Sequence, residues 1–121
     1  MPGSFRPFRR IWDALVITGT GTYTSETINM PYGHDCSFIC SFGGTATGTL
    51  IVEVSNSDDD LERLGNAIWT TYDKITIPAI AAPVVHGIEL KPLGFAKCRL
   101  KYTNATNSGT LTVENCLKAR G

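Results

Sequence analysis

The sequence contains one cluster of carboxylates, and carboxylate oxygens are ligands that Ca²⁺ prefers. Asp58, Asp59 and Asp60 are consecutive, and Glu62 follows shortly after them. The segment lacks the alternating acids and the internal glycine of a calcium-binding loop between two helices. We therefore interpret it as a solvated acidic connection, in which residues 58–64 form one short helical turn with an aspartate near its start.

The two histidines, His34 and His86, lie far apart in the chain, and neither has a second imidazole at metal-ligand spacing. Either one is a potential general base, but a structural histidine is the more economical interpretation. The sequence also carries no Walker loop, no dinucleotide-binding fingerprint and no nucleophile elbow. We therefore predict no catalytic residue, no cofactor-binding residue and no metal ligand.

Four cysteines, Cys36, Cys40, Cys98 and Cys116, allow three ways of forming two disulfide bonds. Their spacing matches none of the usual zinc patterns. Along the predicted strand 36–42, Cys36 and Cys40 share one face with the aromatic residues Phe38 and Phe42, and the other face carries Ser37, Ile39 and Ser41. Free cysteine packs as a small hydrophobic residue. Since the start of the sequence has no apolar run typical of a signal peptide, we expect reduced, structural thiols.

Two groups of cations are candidates for docking onto an acidic surface. One group alternates along the predicted strand 95–102 and therefore shares one face, where it would create a local positive field. The other lies in residues 1–10, which contain prolines, arginines and two phenylalanines but no acid, and which we predict to be an extended basic arm ahead of a domain at 11–121. The candidate docking residues are Phe5, Arg6, Phe8, Arg9 and Arg10 of the arm and Lys97, Arg99 and Lys101 of the strand.

A repeated segment of the sequence indicates which secondary structure carries these side chains. The stretch Gly-Thr-Leu-Ile-Val-Glu at 48–53 recurs with one change at 109–114, and a turn-like segment precedes each copy. Apolar residues fall on alternate positions, as in a strand with one buried face. Seven or eight such strands predict an all-β protein, an antiparallel β-sandwich or jelly roll. The predicted core contains Phe38, Leu50, Val52, Leu100, Leu111 and Val113.

Composition limits the function further. At 121 residues the chain has the size of one domain, and its 11 basic and 11 acidic side chains give a formal net charge of zero. A neutral chain is not typical of a protein that binds nucleic acid. No segment approaches the roughly 20 consecutive apolar residues of a membrane helix. We expect no nucleic-acid, membrane or small-molecule partner.

The order of segments resembles a known group of proteins. The relevant runs are Cys-Ser-Phe-Ile-Cys-Ser-Phe at 36–42, Thr-Gly-Thr-Leu-Ile-Val-Glu-Val-Ser-Asn at 47–56, Trp69, Gly-Phe-Ala-Lys-Cys-Arg-Leu-Lys-Tyr-Thr at 94–103 and Ser-Gly-Thr-Leu-Thr-Val at 108–113. Over residues 36–118 this layout resembles small jelly-roll proteins encoded beside capsid genes in tailed bacteriophages, which include head cement and decoration proteins.

This resemblance implies a non-enzymatic structural virion protein. It would sit on the capsid exterior after assembly in the host cytoplasm, bind the major capsid protein and form a homo-oligomer, a dimer or a trimer. The acidic insertion and the cysteines depart from the pattern. A tail or fibre module therefore stays open, as does a glycan-binding module using Trp69, Tyr72, Asn104 and Asn107. A small jelly-roll hydrolase or isomerase would need a metal site or a carboxylate pair, and none stands out.

Overall fold

A computed structural model describes residues 8–30, 34–77, 84–90 and 95–119 of the protein. The described residues form strands and one short helix. In chain order these are β1 (Phe8–Ile17), β2 (Gly21–Thr24), β3 (Ile28–Asn29), β4 (His34–Gly44), β5 (Thr47–Ser55), α1 (Asp59–Arg63), β6 (Thr70–Ile77), β7 (Val84–Leu90), β8 (Lys97–Thr106) and β9 (Gly109–Ala119). The short helix lies within the acidic segment, where the sequence predicts one helical turn.

The strands form two antiparallel sheets. The first sheet has the order β1-β9-β4-β7, and the second has the order β2-β8-β5-β6 with the short β3 also paired to β8. The chain changes sheet at most of its connections, which is the arrangement of a jelly roll. This confirms the predicted all-β antiparallel sandwich. We call the two sheets the β1 sheet and the β8 sheet.

The core lies between the two sheets and follows the period of two. Along β5 the inward residues Leu50, Val52 and Val54 are each 1% exposed, whereas the residues between them are half-buried. A strand packed on one side and solvated on the other has this pattern. All members of the predicted core are at most 1% exposed, which confirms that prediction: Phe38, Leu50, Val52, Leu100, Leu111 and Val113.

The structure gives the repeated glycines a physical role. β5 and β9 are interior strands of their sheets, and each begins near one copy of the repeat. A Cβ atom added at Gly48 would lie 2.6 Å from the hydroxyl oxygen of Tyr102 and closer still to the carbonyl oxygen of Thr103. One added at Gly109 would collide with the carbonyl oxygen of Gly43. Both copies therefore start where a neighbouring backbone approaches too closely for any side chain.

Strand β1 corrects two expectations about the N-terminal region. It begins at Phe8 and pairs with β9 from Cys116 to Gly109, so residues 8–10 of the predicted arm belong to the sheet. The register also shifts on both sides of Trp12, and Ala14 has a positive φ of 51°. A bulge moves side chains to the other face. From the sequence we predict a strand at 12–18 in which Trp12, Ala14 and Val16 share one face. The bulges overturn this prediction for Val16, which is 64% exposed.

The polar segment 103–108, which we predict to be a turn, is mostly strand. β8 continues to Thr106 because it pairs with β5 on one side and with β2 on the other. The reversal occurs at Asn107, whose φ is 65°, a conformation that asparagine tolerates. The buried Asn104 stabilises this reversal, since its amide nitrogen donates to the carbonyl oxygen of Asn107 at 2.9 Å.

Candidate functional site

The acidic segment folds into α1, which ends close to the basic strand. The helix begins after its N-cap Asp58, whose carboxylate accepts a hydrogen bond from the backbone N–H of Leu61 at 2.8 Å. Acidic residues occupy its first turn and Arg63 its last, an order that the helix dipole favours. The side chains of α1 reach the outer face of the β8 sheet at the beginning of β8.

Lys97, the first cation of the predicted docking face, is covered by this helix. Its side chain is 6% exposed, and its Nζ lies 2.6 Å from Oδ1 of Asp59 and 2.8 Å from Oε1 of Glu62. The hydrogen bond with Asp59 is the main cause that raises the pKa of Lys97, and the bonds with Lys97 lower the pKa of both carboxyls. The expectation of a solvated acidic connection is therefore only partly right, because two of its carboxylates neutralise a buried lysine.

Arg99, the second cation of that face, is also engaged within the chain. Its Nε lies 2.8 Å from Oε1 of Glu53, a carboxylate whose side chain is only 13% exposed. Its guanidinium carbon lies 4.1 Å from the centre of the Trp69 ring, a cation–π contact. Arg99 therefore contributes little free positive charge, and the Trp69 ring already contacts a side chain of the same protein.

Lys101 is the one predicted strand cation that has no ion-pair partner among the described residues. It pairs in register with Thr24 on one side and with Ile51 on the other. Ile51 in turn pairs with Lys74 of β6, which likewise has no ion-pair partner in the described part of the chain. The row Thr24, Lys101, Ile51 and Lys74 thus presents two free ammonium groups. We call it the lysine row.

Sequence reasoning missed Lys74. Alternation along β8 shows that Lys97, Arg99 and Lys101 share a face, but it does not show which strands lie beside β8. Lys74 joins the row only because β6 pairs with β5 and β5 pairs with β8.

The described arginines of the predicted arm are engaged in ion pairs within the chain. Arg9 forms an ion pair with Glu26 at 3.1 Å, and Arg10 forms ion pairs with Asp13 at 3.1 Å and Glu114 at 3.0 Å. The hydrogen bond with Glu114 is the main cause that raises the pKa of Arg10.

The remaining arm residues are less fully described. Phe5 and Arg6 lie outside the described residues, and of Phe8 the structure describes only the backbone, which pairs with Cys116. The two predicted basic groups do not come together. Arg10 and Glu114 are on the outer face of the β1 sheet, whereas the lysine row is on the outer face of the β8 sheet.

An apolar groove lies beside α1, at the C-terminal end of β5. It has a volume of about 460 Å³, and Val54, Leu61, Ile68 and Phe95 are among the residues that line it. Two of its lining side chains remain exposed, Leu61 at 41% and Ile68 at 78%, and Tyr72, whose ring contacts the lining Phe95, is 40% exposed. Exposed apolar side chains gathered in this way are typical of a surface that contacts another macromolecule.

The residues considered for glycan binding do not form one platform. Trp69 stacks against Arg99, while Asn104 is 2% exposed and uses its amide within the β8 reversal. Since a strand rises about 3.3 Å per residue, Asn104 lies roughly 17 Å along β8 from Arg99. The Trp69 ring and the Asn104 amide are therefore too far apart to form one glycan-binding platform.

The described residues contain neither a metal-binding cluster nor a membrane-spanning helix. Within 8–30, 34–77, 84–90 and 95–119, no three His, Cys, Asp or Glu side chains cluster in a way that would hold a metal ion. No helix in these same ranges is long and apolar enough to cross a membrane. The side chains of His34 and His86 lie outside the described set.

No protein-family model matches this sequence, and no curated protein matches it either. The fold, however, is similar to the crystal structure of PBSX exported protein XepA, with a TM-score of 0.66 and 16% sequence identity. The match covers 94% of this chain and 37% of that chain, so this chain spans well under half of that protein. At this identity the likeness establishes the fold. The molecule is thus a jelly-roll β-sandwich with the lysine row and the apolar groove as candidate docking surfaces.

Proposed function

We propose that this chain is a structural virion protein of a tailed phage. In this proposal it is a cement or decoration protein that binds the outer surface of the head and joins neighbouring major capsid protein subunits, without enzymatic activity. The sequence resemblance over 36–118 supports it, and the all-β fold that this chain shares with PBSX exported protein XepA is compatible with it. One observation of the site carries it: on a protein of zero formal net charge, the lysine row offers two cations around Ile51 that have no ion-pair partner among the residues that the structure describes.

The chemistry of the lysine row suits an acidic protein surface. Ile51 is half-buried and supplies apolar contact area, while Lys74 and Lys101 on either side supply positive charge. Charges at the rim of an interface act mainly on the association rate and on its salt dependence, and buried apolar contacts act on release. We expect the row to select and orient an acidic patch of the shell.

Joining subunits requires more than one contact for each bound unit. A homo-oligomer, a dimer or a trimer, would present several lysine rows at once, and each contact would be reinforced by the next through effective concentration. Such an oligomer would occupy a local symmetry axis, where the shell offers equivalent sites. Individually weak contacts would then suffice for stable attachment.

The test uses capsids of the parent phage assembled without this protein. Full-length protein is added, and the bound copies and the heat resistance of the shell are measured. We expect wild-type protein to bind and to raise heat resistance, and the double variant Lys74→Gln with Lys101→Gln to bind at least tenfold more weakly, with a smaller dependence on salt.

Arg10→Gln is the matched control, because it removes a charge from the opposite sheet face. A chain lacking residues 1–7 tests Phe5 and Arg6 separately. Equal occupancy of the lysine variant and wild type would reject the lysine row as the docking surface. If wild-type protein bound purified tails but no head, the cement role would be wrong and a tail role would replace it; binding to neither would reject a virion role.

A further inference from the structure

The β8 sheet ends in a long strand that is paired on one side only. β6 (Thr70–Ile77) is the last strand in the order β2-β8-β5-β6, and among the described residues its backbone pairs with β5 alone. Residues 70–74 are all exposed. An unpaired strand edge offers a row of backbone N–H and C=O groups to which another extended segment can add. β6 is therefore a candidate docking edge.

A local hydrogen bond shows which backbone groups point to the open side of β6. The backbone N–H of Lys74 donates to a carboxylate oxygen of its neighbour Asp73 at 2.8 Å. An N–H directed into the sheet would donate to a carbonyl oxygen of β5, so the N–H of Lys74 points to the open side. Since the direction of the N–H alternates along a strand, the N–H of Thr76 points to the same side. The edge thus presents at least two donors to an incoming strand.

The other edge strands of the two sheets are less suited to strand addition. β2 has only four residues, β1 is interrupted by two register shifts, and β7 has Gly87 at its centre, where a glycine weakens a strand. β6 has eight residues and is rich in threonine and isoleucine, which favour strands. Its one register shift lies before Asp73, and residues 73–77 pair regularly with 48–52.

The lysine row determines the chemistry of a strand that adds to this edge. The row ends at Lys74 on β6, so an added strand places one of its own residues directly beside Lys74. Neither Lys74 nor Lys101 has an ion-pair partner in the described part of the chain. Opposite charges on directly opposed residues stabilise a pair of strands. An aspartate or glutamate of the added strand would therefore extend the row favourably.

A second copy of this chain fits the same edge less well. Antiparallel pairing of two β6 strands about a two-fold axis at their middle would place Asp73 opposite Asp73, or Lys74 opposite Lys74. Like charges directly opposite each other destabilise a pair of strands. The charges of β6 thus favour an acidic segment of another protein over self-pairing.

We propose that β6 binds an extended acidic segment of the partner protein by strand addition, with an aspartate or glutamate of that segment beside Lys74. The proposal rests on the function proposed above and adds the form in which the acidic patch of the shell is bound, a strand paired through its backbone. Thr70, the first residue of β6, also lines the apolar groove. The added strand therefore runs from the lysine row to the groove, which accommodates an apolar side chain of the segment.

The test compares amide hydrogen exchange in the free protein and in the protein bound to capsids of the parent phage assembled without it. We expect residues 70–77 to exchange at least tenfold more slowly in the bound protein, because the open N–H groups of β6 acquire carbonyl partners. Residues 21–24 of β2, at the opposite edge of the same sheet, are the internal control and should exchange at the same rate in both states.

A backbone variant separates strand addition from attraction between charges. Thr76→Pro removes one open N–H and no charge, and proline is tolerated on an edge strand where the N–H faces solvent. It should bind the capsids at least tenfold more weakly than wild type, with the same salt dependence. Thr76→Ser keeps the N–H and should bind as wild type does. The double variant Lys74→Gln with Lys101→Gln should instead lose affinity and salt dependence together.

Failure of strand addition is distinguishable from failure of the virion role. If wild-type protein binds capsids but residues 70–77 exchange as fast as in the free protein, strand addition is wrong and the function proposed above stands. Equal binding of folded Thr76→Pro and Thr76→Ser would reject it in the same way. If Thr76→Pro does not fold, the exchange measurement alone decides. A free protein that is a dimer with residues 70–77 already protected would show that a second copy occupies the edge, and it would overturn the proposal. If wild-type protein binds no capsid, both proposals fail.

Discussion

The glycine at the start of the first repeat copy can be tested by one added methyl group. In Gly48→Ala the new Cβ would lie 2.6 Å from the hydroxyl oxygen and 2.8 Å from the ring carbon Cζ of Tyr102, and it would also collide with the carbonyl oxygen of Thr103. Tyr102 is 0% exposed, and its hydroxyl donates to Asn104 at 3.1 Å. The Thr103 carbonyl belongs to β8, which is paired on both sides. Neither neighbour has room to move away.

The magnitude follows from two opposing effects. Overpacking of a well-packed interior costs about 1–3 kcal/mol, and contact with backbone on one side favours the upper half of that range. Alanine also restricts the unfolded chain, which stabilises the fold by about 0.4–1 kcal/mol. We expect the free energy of unfolding to fall by about 2 kcal/mol. For a domain of this size the Tm should fall by roughly 6–12 °C.

The assay is thermal and urea unfolding followed by circular dichroism. The matched control is Gly87→Ala in β7, an edge strand, where no heavy atom lies within 4 Å of an added Cβ. That control should leave stability unchanged or raise it by up to about 1 kcal/mol. If both variants are as stable as wild type, or if both lose the same amount, close backbone approach does not explain the repeated glycine.

Two further predictions concern the core and the acidic helix. Leu50→Ala or Leu111→Ala should lower the free energy of unfolding by about 2–5 kcal/mol in urea titrations, whereas Val16→Ala on the surface should change it little; equal losses would contradict the assigned core. Lys97→Met should release α1 and raise amide hydrogen exchange over residues 61–66, and Lys101→Met should not. The pKa values of the Asp59 and Glu62 carboxyls are lowered in the fold. Their ion pairs with Lys97 therefore stabilise the fold fully at a pH above the ordinary carboxyl pKa of about 4, and this stabilisation is lost as the pH falls through the lowered pKa values. Wild type should therefore lose more stability on acidification than Lys97→Met, and identical acid profiles would refute the role of this ion pair.

Much of the fold could be predicted from local pattern. Alternation of apolar and polar residues identified strands near their observed positions: the strand predicted at 95–102, for example, overlaps β8, which the structure gives as Lys97–Thr106. The same alternation identified the inward residues of β5, β8 and β9, because a strand with one buried face has to alternate. The helical turn after Asp58 was also predictable, since an N-cap and its acidic first turn are local features.

Local pattern failed where the pairing of strands overrides it. Bulges in β1 shift the faces around Trp12, and the polar residues after Tyr102 stay extended because strands lie on both sides of them. The start of β1 at Phe8 has the same cause, since β9 supplies hydrogen-bond partners to residues whose composition is typical of a flexible arm. The preference of these residues for turns or flexible segments is outweighed by the backbone hydrogen bonds to neighbouring strands.

The architecture of two packed sheets could be predicted from the sequence alone. The reason is that the alternation of apolar and polar residues repeats every two residues along each strand and marks its inward face. The tertiary structure alone decided which distant residues meet. Lys97 is neutralised by α1, and Lys74 stands beside Ile51 in the lysine row. Alternation tells which face a residue occupies but not which strand lies next to it or opposite it. That neighbour depends on the order of strands in both sheets, and only the packing of the whole chain determines that order.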